Sequence, residues 1–201
     1  LFEGLWPITS EGISYNSYVV KGGEKSALID MAKDIKSNAL IDQIAEVVDP
    51  ADLDYIVINH MEPDHTGSMA KIVEKYPDVQ ILCSDKAVNL IKHFYKIEKN
   101  VHAVKDGETL DLGGKTLQFF MTPNIHWPET MMTFLVEDGI LFSCDAFGSF
   151  GRYAKCFDDE QSEEELVHLA SETERYYANI VSSFSSFVLR GIAKLDGLDI
   201  K

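Results

Sequence analysis

Apolar residues in this chain come in short runs broken by turn formers, and the period of the runs alternates between strand-like and helix-like. Residues 14–20 and 25–30 are two such runs joined by Gly22-Gly23, which predicts a hairpin. Leu40, Ile41, Ile44, Val47 and Val48 recur at helical spacing, with Pro50 as the stop. Residues 55–59 (YIVIN) read as a short buried strand, followed by a helix over 68–76, a strand over 79–83 and a helix over 84–95 capped by Ser84. Strands over 115–122, 132–136 and 140–143 come next, the last two forming a hairpin around Glu137-Asp138-Gly139. From Asp158 to about Arg190 the pattern predicts a helix whose acidic start suits the positive end of a helix dipole. Hairpins alternate with strand–helix–strand units and no linker interrupts them. The reading is one α/β domain over residues 1–201, with mixed sheets.

Composition narrows the function classes. Lys and Arg total 18 against 33 Asp and Glu, a formal charge of −15. That balance argues against nucleic acid and against anionic membrane surfaces, both of which are held by Lys and Arg. No apolar run is long enough to span a bilayer, and the first residues lack the pattern of a secretory signal. Cys83, Cys144 and Cys156 are odd in number and widely spaced, which predicts free thiols in a reducing, cytoplasmic setting.

The candidate chemistry sits where strands end. The run at 55–59 leads directly into His60-Met61-Glu62-Pro63-Asp64-His65. Extended backbone would send His60, Glu62 and Asp64 to one face, with His65 turning the corner and Gly67 permitting the bend. The strand at 115–122 delivers His126, and the strand at 140–143 delivers Asp145. Two carboxylates and two imidazoles buried together are costly without a cation. A pair of divalent ions sharing a carboxylate makes the cluster self-consistent. Trp127, next to His126, reads as core packing.

These residues carry a resemblance. NHMEPDHTGS (residues 59–68), TPNIHWPETM with the following Met132, and LFSCDAFGSFG (141–151) resemble the three metal segments of flavodiiron proteins, the A-type flavoproteins. The opening LFEGLWPITSEGISYNSY resembles that family's N-terminus, so the similarity covers essentially the whole chain. The resemblance implies the αββα sandwich of the metallo-β-lactamase superfamily. It also implies a non-haem, oxo- or hydroxo-bridged site of two iron ions that reduces dioxygen, nitric oxide or both. It places His60, Glu62 and His126 on one iron, Asp64 and His65 on the other, and Asp145 between them. One of Tyr176 and Tyr177 matches a tyrosine that approaches the pocket. Zinc hydrolases of the same superfold carry His where Glu62 stands. A carboxylate there hardens the site toward iron, and zinc has no redox chemistry.

Further implications concern what surrounds the site. The family has one more histidine in a P-S-H-G-like segment beyond an L-x-I-K-type strand. This sequence ends at Leu198-Asp199-Ile200-Lys201, so a C-terminally truncated domain is expected. Most members continue into an FMN-binding, flavodoxin-like domain, and no FMN site resembling it lies in this chain. Electrons would then come from a flavodoxin- or rubredoxin-like donor. The alternative is a flavin-less oxygen-binding sensor that acts on a signalling partner, and a zinc hydrolase ranks third. Pairing of two copies is a further implication. Ser149-Phe150-Gly151 departs from the family's Ser-His-Gly, and the loop through Cys156 is shorter.

Overall fold

Two sheets form from these runs, packed face to face with helices on both outer sides. The structure is a computed structural model, and it describes residues 12–49, 52–153 and 155–201. The opening segment before Gly12 and the expected helix stop at Pro50 lie outside the described residues.

The first sheet has the order β1 (Tyr18–Lys21), β2 (Ser26–Ile29), β3 (Tyr55–Ile58), β4 (Gln80–Cys83) and β5 (Val101–Ala103). Its first pair is antiparallel, as the Gly22-Gly23 hairpin predicts, and the rest are parallel. The second sheet runs β6 (Thr109–Asp111), β7 (Thr116–Met121), β8 (Met131–Leu135) and β9 (Ile140–Phe142). It is antiparallel throughout, where mixed pairing was expected. The reason is connectivity: short turns join its strands, and parallel pairing needs a long crossover. β5 and β6 are three-residue strands with mainly exposed or half-exposed residues, too short and polar for the pattern to reveal.

Side-chain alternation builds three apolar layers. Ala27, Ile29, Val57 and Leu82 point inward to meet Leu117, Phe119, Met131 and Leu135 between the sheets. Their neighbours Leu28, Ile56, Ile58 and Ile81 point outward. There they receive Leu40 and Ile44 of α1 (Ser37–Val47), Ile72 of α3 (Met69–Lys75), and Ala87 and Ile91 of α4 (Asp85–Tyr95). On the far side, Phe120, Met132 and Phe134 meet Tyr176 of α5 (Glu163–Tyr176) and Val188 and Leu195 of α6 (Ser185–Leu195).

The expected helix over 158–190 is broken. Ser162 caps α5 through a reciprocal pair with Glu165. After Tyr176 comes a π-helical turn (Tyr177–Val181) and a 3-10 turn (Ser182–Phe184) before α6. The hydroxyls of Ser182 and Ser185 bond back to the carbonyls of Ala178 and Ser182, which competes with regular helix.

α2 (Pro63–Thr66) is a single turn immediately after β3, and it corrects the expected extended geometry. Pro63 at the first helical position presets φ, so extended backbone ends at Glu62. Asp64 and His65 reach the pocket from a helical turn. Gly67 also acts differently from expectation, since its φ of −56° is open to any residue. A Cβ there would lie 2.5 Å from the Asp34 amide nitrogen and 2.6 Å from the Pro63 carbonyl oxygen. Gly67→Ala should therefore destabilise the chain by about 1–3 kcal/mol through overpacking. A denaturant midpoint equal to that of the parent would contradict this.

Candidate metal centre

The six side chains singled out from the sequence converge at one end of the sandwich. His60 leaves β3 fully buried, and Glu62 follows at the start of α2. His126 lies in the β7–β8 loop. There Thr130 Oγ1 donates to the Thr122 carbonyl at 2.5 Å, and the Asn124 amide donates to the Trp127 carbonyl at 2.7 Å. Asp145 follows β9, placed by Cys144 in the left-handed region (φ 57°). The Ser143 hydroxyl closes this turn onto the Ala146 carbonyl.

Asp145 is the hub. Its Oδ1 lies 2.9 Å from His65 Nε2, while its Oδ2 lies 3.0 Å from His126 Nε2 and 3.3 Å from His60 Nε2. Glu62 Oε2 faces the same two imidazoles, at 3.3 Å from His60 and 3.2 Å from His126. Donor atoms of His60, Glu62, His126 and Asp145 all lie within 4.8 Å of one another. Asp64 stands on the other side, with Oδ1 4.0 Å from His65 Nε2. That oxygen is buried and has no hydrogen-bond partner among the described residues. A buried acceptor aimed at a cluster of donors and left unpaired is what a cation would satisfy.

His65 also takes part in a second grouping, with Asp30 and Cys144, whose donor atoms lie within 4.8 Å of one another. Its Nδ1 is 3.7 Å from Cys144 Sγ. Among the described residues all three cysteines are free thiols.

Tyr176, not Tyr177, faces the site. Its ring packs on Phe150 at 5.1 Å, and burial, then the Asp145 charge, push its phenol well above the usual range. Tyr177 is 40% exposed and its hydroxyl donates to Ser185. Trp127 joins the outer apolar cluster as expected, and it also meets the His60 ring edge-on at 5.2 Å. In front of the site lies a cavity of about 1310 Å3, with Tyr18, Phe147, Phe150, Tyr153 and Tyr176 in its walls.

Several polar residues behind the pocket escaped sequence reasoning. Glu129 Oε1 accepts from His60 Nδ1 and from the Met61 amide, both at 2.9 Å. Asp30 accepts from the Asn59 backbone and side-chain amides at 2.8 and 3.0 Å. Thr133 Oγ1 donates to Asn59 Oδ1 at 2.7 Å. A carboxylate ending an entirely buried strand, as Asp30 does in LID, was the available signal.

Charge pairing holds this cluster together when no metal is bound. Burial opposes protonation of His60, but Glu129, Glu62 and Asp145 outweigh it and raise its pKa to about 10. Burial likewise opposes charge on His126, and Asp145 with Glu62 raises it to about 9. His126 and His60 lower Glu62 to about 2. Burial would raise Asp145, but hydrogen bonds from His126 and His65 bring it well down. The imidazoles therefore contribute stability that is complete below their unfolded value of about 6.5 and is lost as pH rises through 9 to 10. Glu62 contributes stability present above about 4.3, lost as pH falls toward 2. The chelated chain should accordingly melt at a lower temperature at pH 9.5 than at pH 6 by calorimetry. A melting temperature that is flat or rising over that interval would contradict the pairing.

Known proteins resemble this chain closely in sequence and fold. The profile of the ODP family beta lactamase matches residues 13–197. An anaerobic nitric oxide reductase flavorubredoxin from Klebsiella pneumoniae is 42% identical over 201 residues, covering 99% of this chain and 41% of that protein. The chain thus spans about two-fifths of the length of the curated relatives it matches. A flavoprotein structure from Thermotoga maritima superposes with a TM-score of 0.92 at 39% identity, over 100% of this chain and 49% of that one. Rubredoxin:oxygen oxidoreductase from Desulfovibrio gigas superposes at 0.87 with 33% identity, over 94% and 47% of the two chains.

Proposed function

From the premise that this chain belongs to the ODP beta-lactamase family and shares the metallo-β-lactamase-like fold of flavodiiron proteins, we propose that it houses a non-haem di-iron centre reducing dioxygen, nitric oxide or both. One observation carries the reading. The two oxygens of Asp145 are divided between His65 on one side and His60 with His126 on the other, leaving two donor sets around one carboxylate. On this reading His60, Glu62 and His126 hold one iron, Asp64 and His65 hold the second, and Asp145 spans both.

The donor set fits iron. Three carboxylates beside three imidazoles form a hard, anionic pocket suited to an ion cycling between ferrous and ferric states. A bound pair of irons would relay electrons from a donor to the substrate, a role closed to zinc. The chain's own residues prepare the pocket. Glu62, Asp64 and Asp145 balance cationic charge in a buried place. The Trp127 ring lies 5.2 Å from that of His60, and the Phe184 ring lies 6.5 Å from that of His126, so each imidazole has an apolar neighbour. Tyr176 keeps its phenol protonated beside Asp145, so a hydrogen-bond donor always faces the pocket.

Electrons come from a flavodoxin- or rubredoxin-like donor. No helix among the described residues is long and apolar enough to cross a membrane, and three free thiols fit a reducing cytoplasm. The test is multiple-turnover consumption of O2 or NO by chain loaded anaerobically with ferrous iron and supplied with reduced rubredoxin or flavodoxin. Sustained consumption supports the reading. A lasting oxidised state without sustained consumption would mean an oxygen sensor. Zinc content with esterase activity in strict anaerobiosis would mean a hydrolase.

A further inference from the structure

An imidazole can ligate through either ring nitrogen, and which one it uses depends on what the other nitrogen meets. Resting on the di-iron reading above, we infer that Glu129 is a positioning residue for His60. It fixes His60 with Nδ1 as the hydrogen-bond donor, leaves Nε2 alone to face a metal, and adds negative charge behind the ring.

The geometry is specific. Glu129 is 2% exposed and stands outside the cavity, so it does not touch a bound substrate. Its Oε1 receives two bonds at once, from His60 Nδ1 and from the Met61 amide, each at 2.9 Å. Ring and following backbone are therefore gripped by one atom. On the opposite edge of the ring, His60 Nε2 faces Glu62 and Asp145. Trp127 lies edge-on at 5.2 Å and takes up the space a rotated ring would need.

Glu129 is itself held. Ser84, the residue expected to cap α4, makes no side-chain cap bond and instead donates its hydroxyl to the Glu129 carbonyl at 2.6 Å. The Met131 amide donates to the Asn59 carbonyl at 2.9 Å, tying the start of β8 to the exit of β3. Glu129 Oε2 is buried without a hydrogen-bond partner among the described residues. Oε1 is thus the oxygen through which Glu129 is held, by His60 Nδ1 and the Met61 amide. A ligand imidazole backed by a carboxylate is a stronger donor, and losing such a backing group typically lowers metal affinity by about 10–100-fold. His65 has no such hydrogen bond among the described residues: its Nδ1 lies 3.7 Å from Cys144 Sγ, in a grouping that also includes Asp30. The two halves of the centre should therefore respond differently.

Anaerobic titration with cobalt(II), read by its ligand-field absorption, separates the outcomes. The parent chain should bind two cobalt ions. Glu129→Gln keeps an acceptor for the Met61 amide but removes the charge. It should weaken one of the two ions by about 10-fold or more, shift that ion's absorption and leave the other unchanged. Two unchanged affinities with an unchanged spectrum would overturn the role of Glu129 while leaving the metal centre intact. No cobalt binding by the parent would overturn the centre and this inference with it. If the variant does not fold, nitrogen-15 NMR of histidine in the zinc-loaded parent decides. His60 protonated on Nδ1 with zinc on Nε2 supports the inference, and zinc on Nδ1 overturns it.

Discussion

Asp145→Asn should empty both halves of the centre together. Among the described residues Asp145 is the one carboxylate within 3.3 Å of three imidazoles, and its oxygens are split between the two sides. An amide offers one neutral oxygen and an N–H₂ that repels both a metal and a protonated imidazole. Metal content should fall from about two ions per chain to fewer than one, and turnover of O2 or NO should drop by more than ~100-fold, beyond the usual effect of a supporting residue. Asp64→Asn is the contrast, because Asp64 stands on the His65 side alone and its loss should deplete one ion only. The metal-free Asp145→Asn chain should also lose about 3–5 kcal/mol below pH 9, because charged imidazoles remain buried without their shared partner. Elemental analysis and guanidinium unfolding of both variants check this. A full complement of metal in Asp145→Asn would contradict the bridging role.

Asn59→Leu should be the most damaging change away from the pocket. Asn59 binds both oxygens of Asp30, accepts from Thr133 and reaches the Phe142 carbonyl at 3.4 Å. One side chain thereby joins β2, β3, β8 and β9, and His60 follows β3, Glu129 precedes β8 and Asp145 follows β9. Burial already pushes the Asp30 carboxyl up, so removing the side-chain amide leaves an acid with one partner fewer in an apolar layer. The expected cost is about 3–5 kcal/mol in denaturant unfolding, accompanied by weaker metal binding. Adding Asp30→Asn should recover part of the loss, since removing both members of a buried pair costs less than removing one. A single-variant cost below about 1 kcal/mol would contradict the network.

Much of the site was legible because its residues sit at strand ends. A buried strand reads as an unbroken apolar run, and a polar residue directly after it is unusual enough to stand out. His60 was found that way, while His126 and Asp145 follow their strands at a short remove and gained weight from the complete pattern. The α/β class was legible from the alternation of hairpins with strand–helix–strand units, and the αββα order only from the family resemblance. The local path was not. Pro63 signalled extended backbone at Glu62, as found, but it also opens α2, a second role that the alternation of ligand residues does not record. Glu129 stayed hidden because it looks like an ordinary loop carboxylate, and Asp30 because it closes a strand, until distant strands bring an imidazole or an amide to them. The break after Tyr176 depends on serine hydroxyls choosing backbone carbonyls, which helical periodicity does not record.

On the proposed reading, six side chains gather two redox-active ions around Asp145. Mössbauer spectroscopy on chain loaded anaerobically with enriched ferrous iron tests it most directly. The account predicts about two irons per chain in two inequivalent environments, becoming magnetically coupled after exposure to air. A single uncoupled iron, or none, would contradict it.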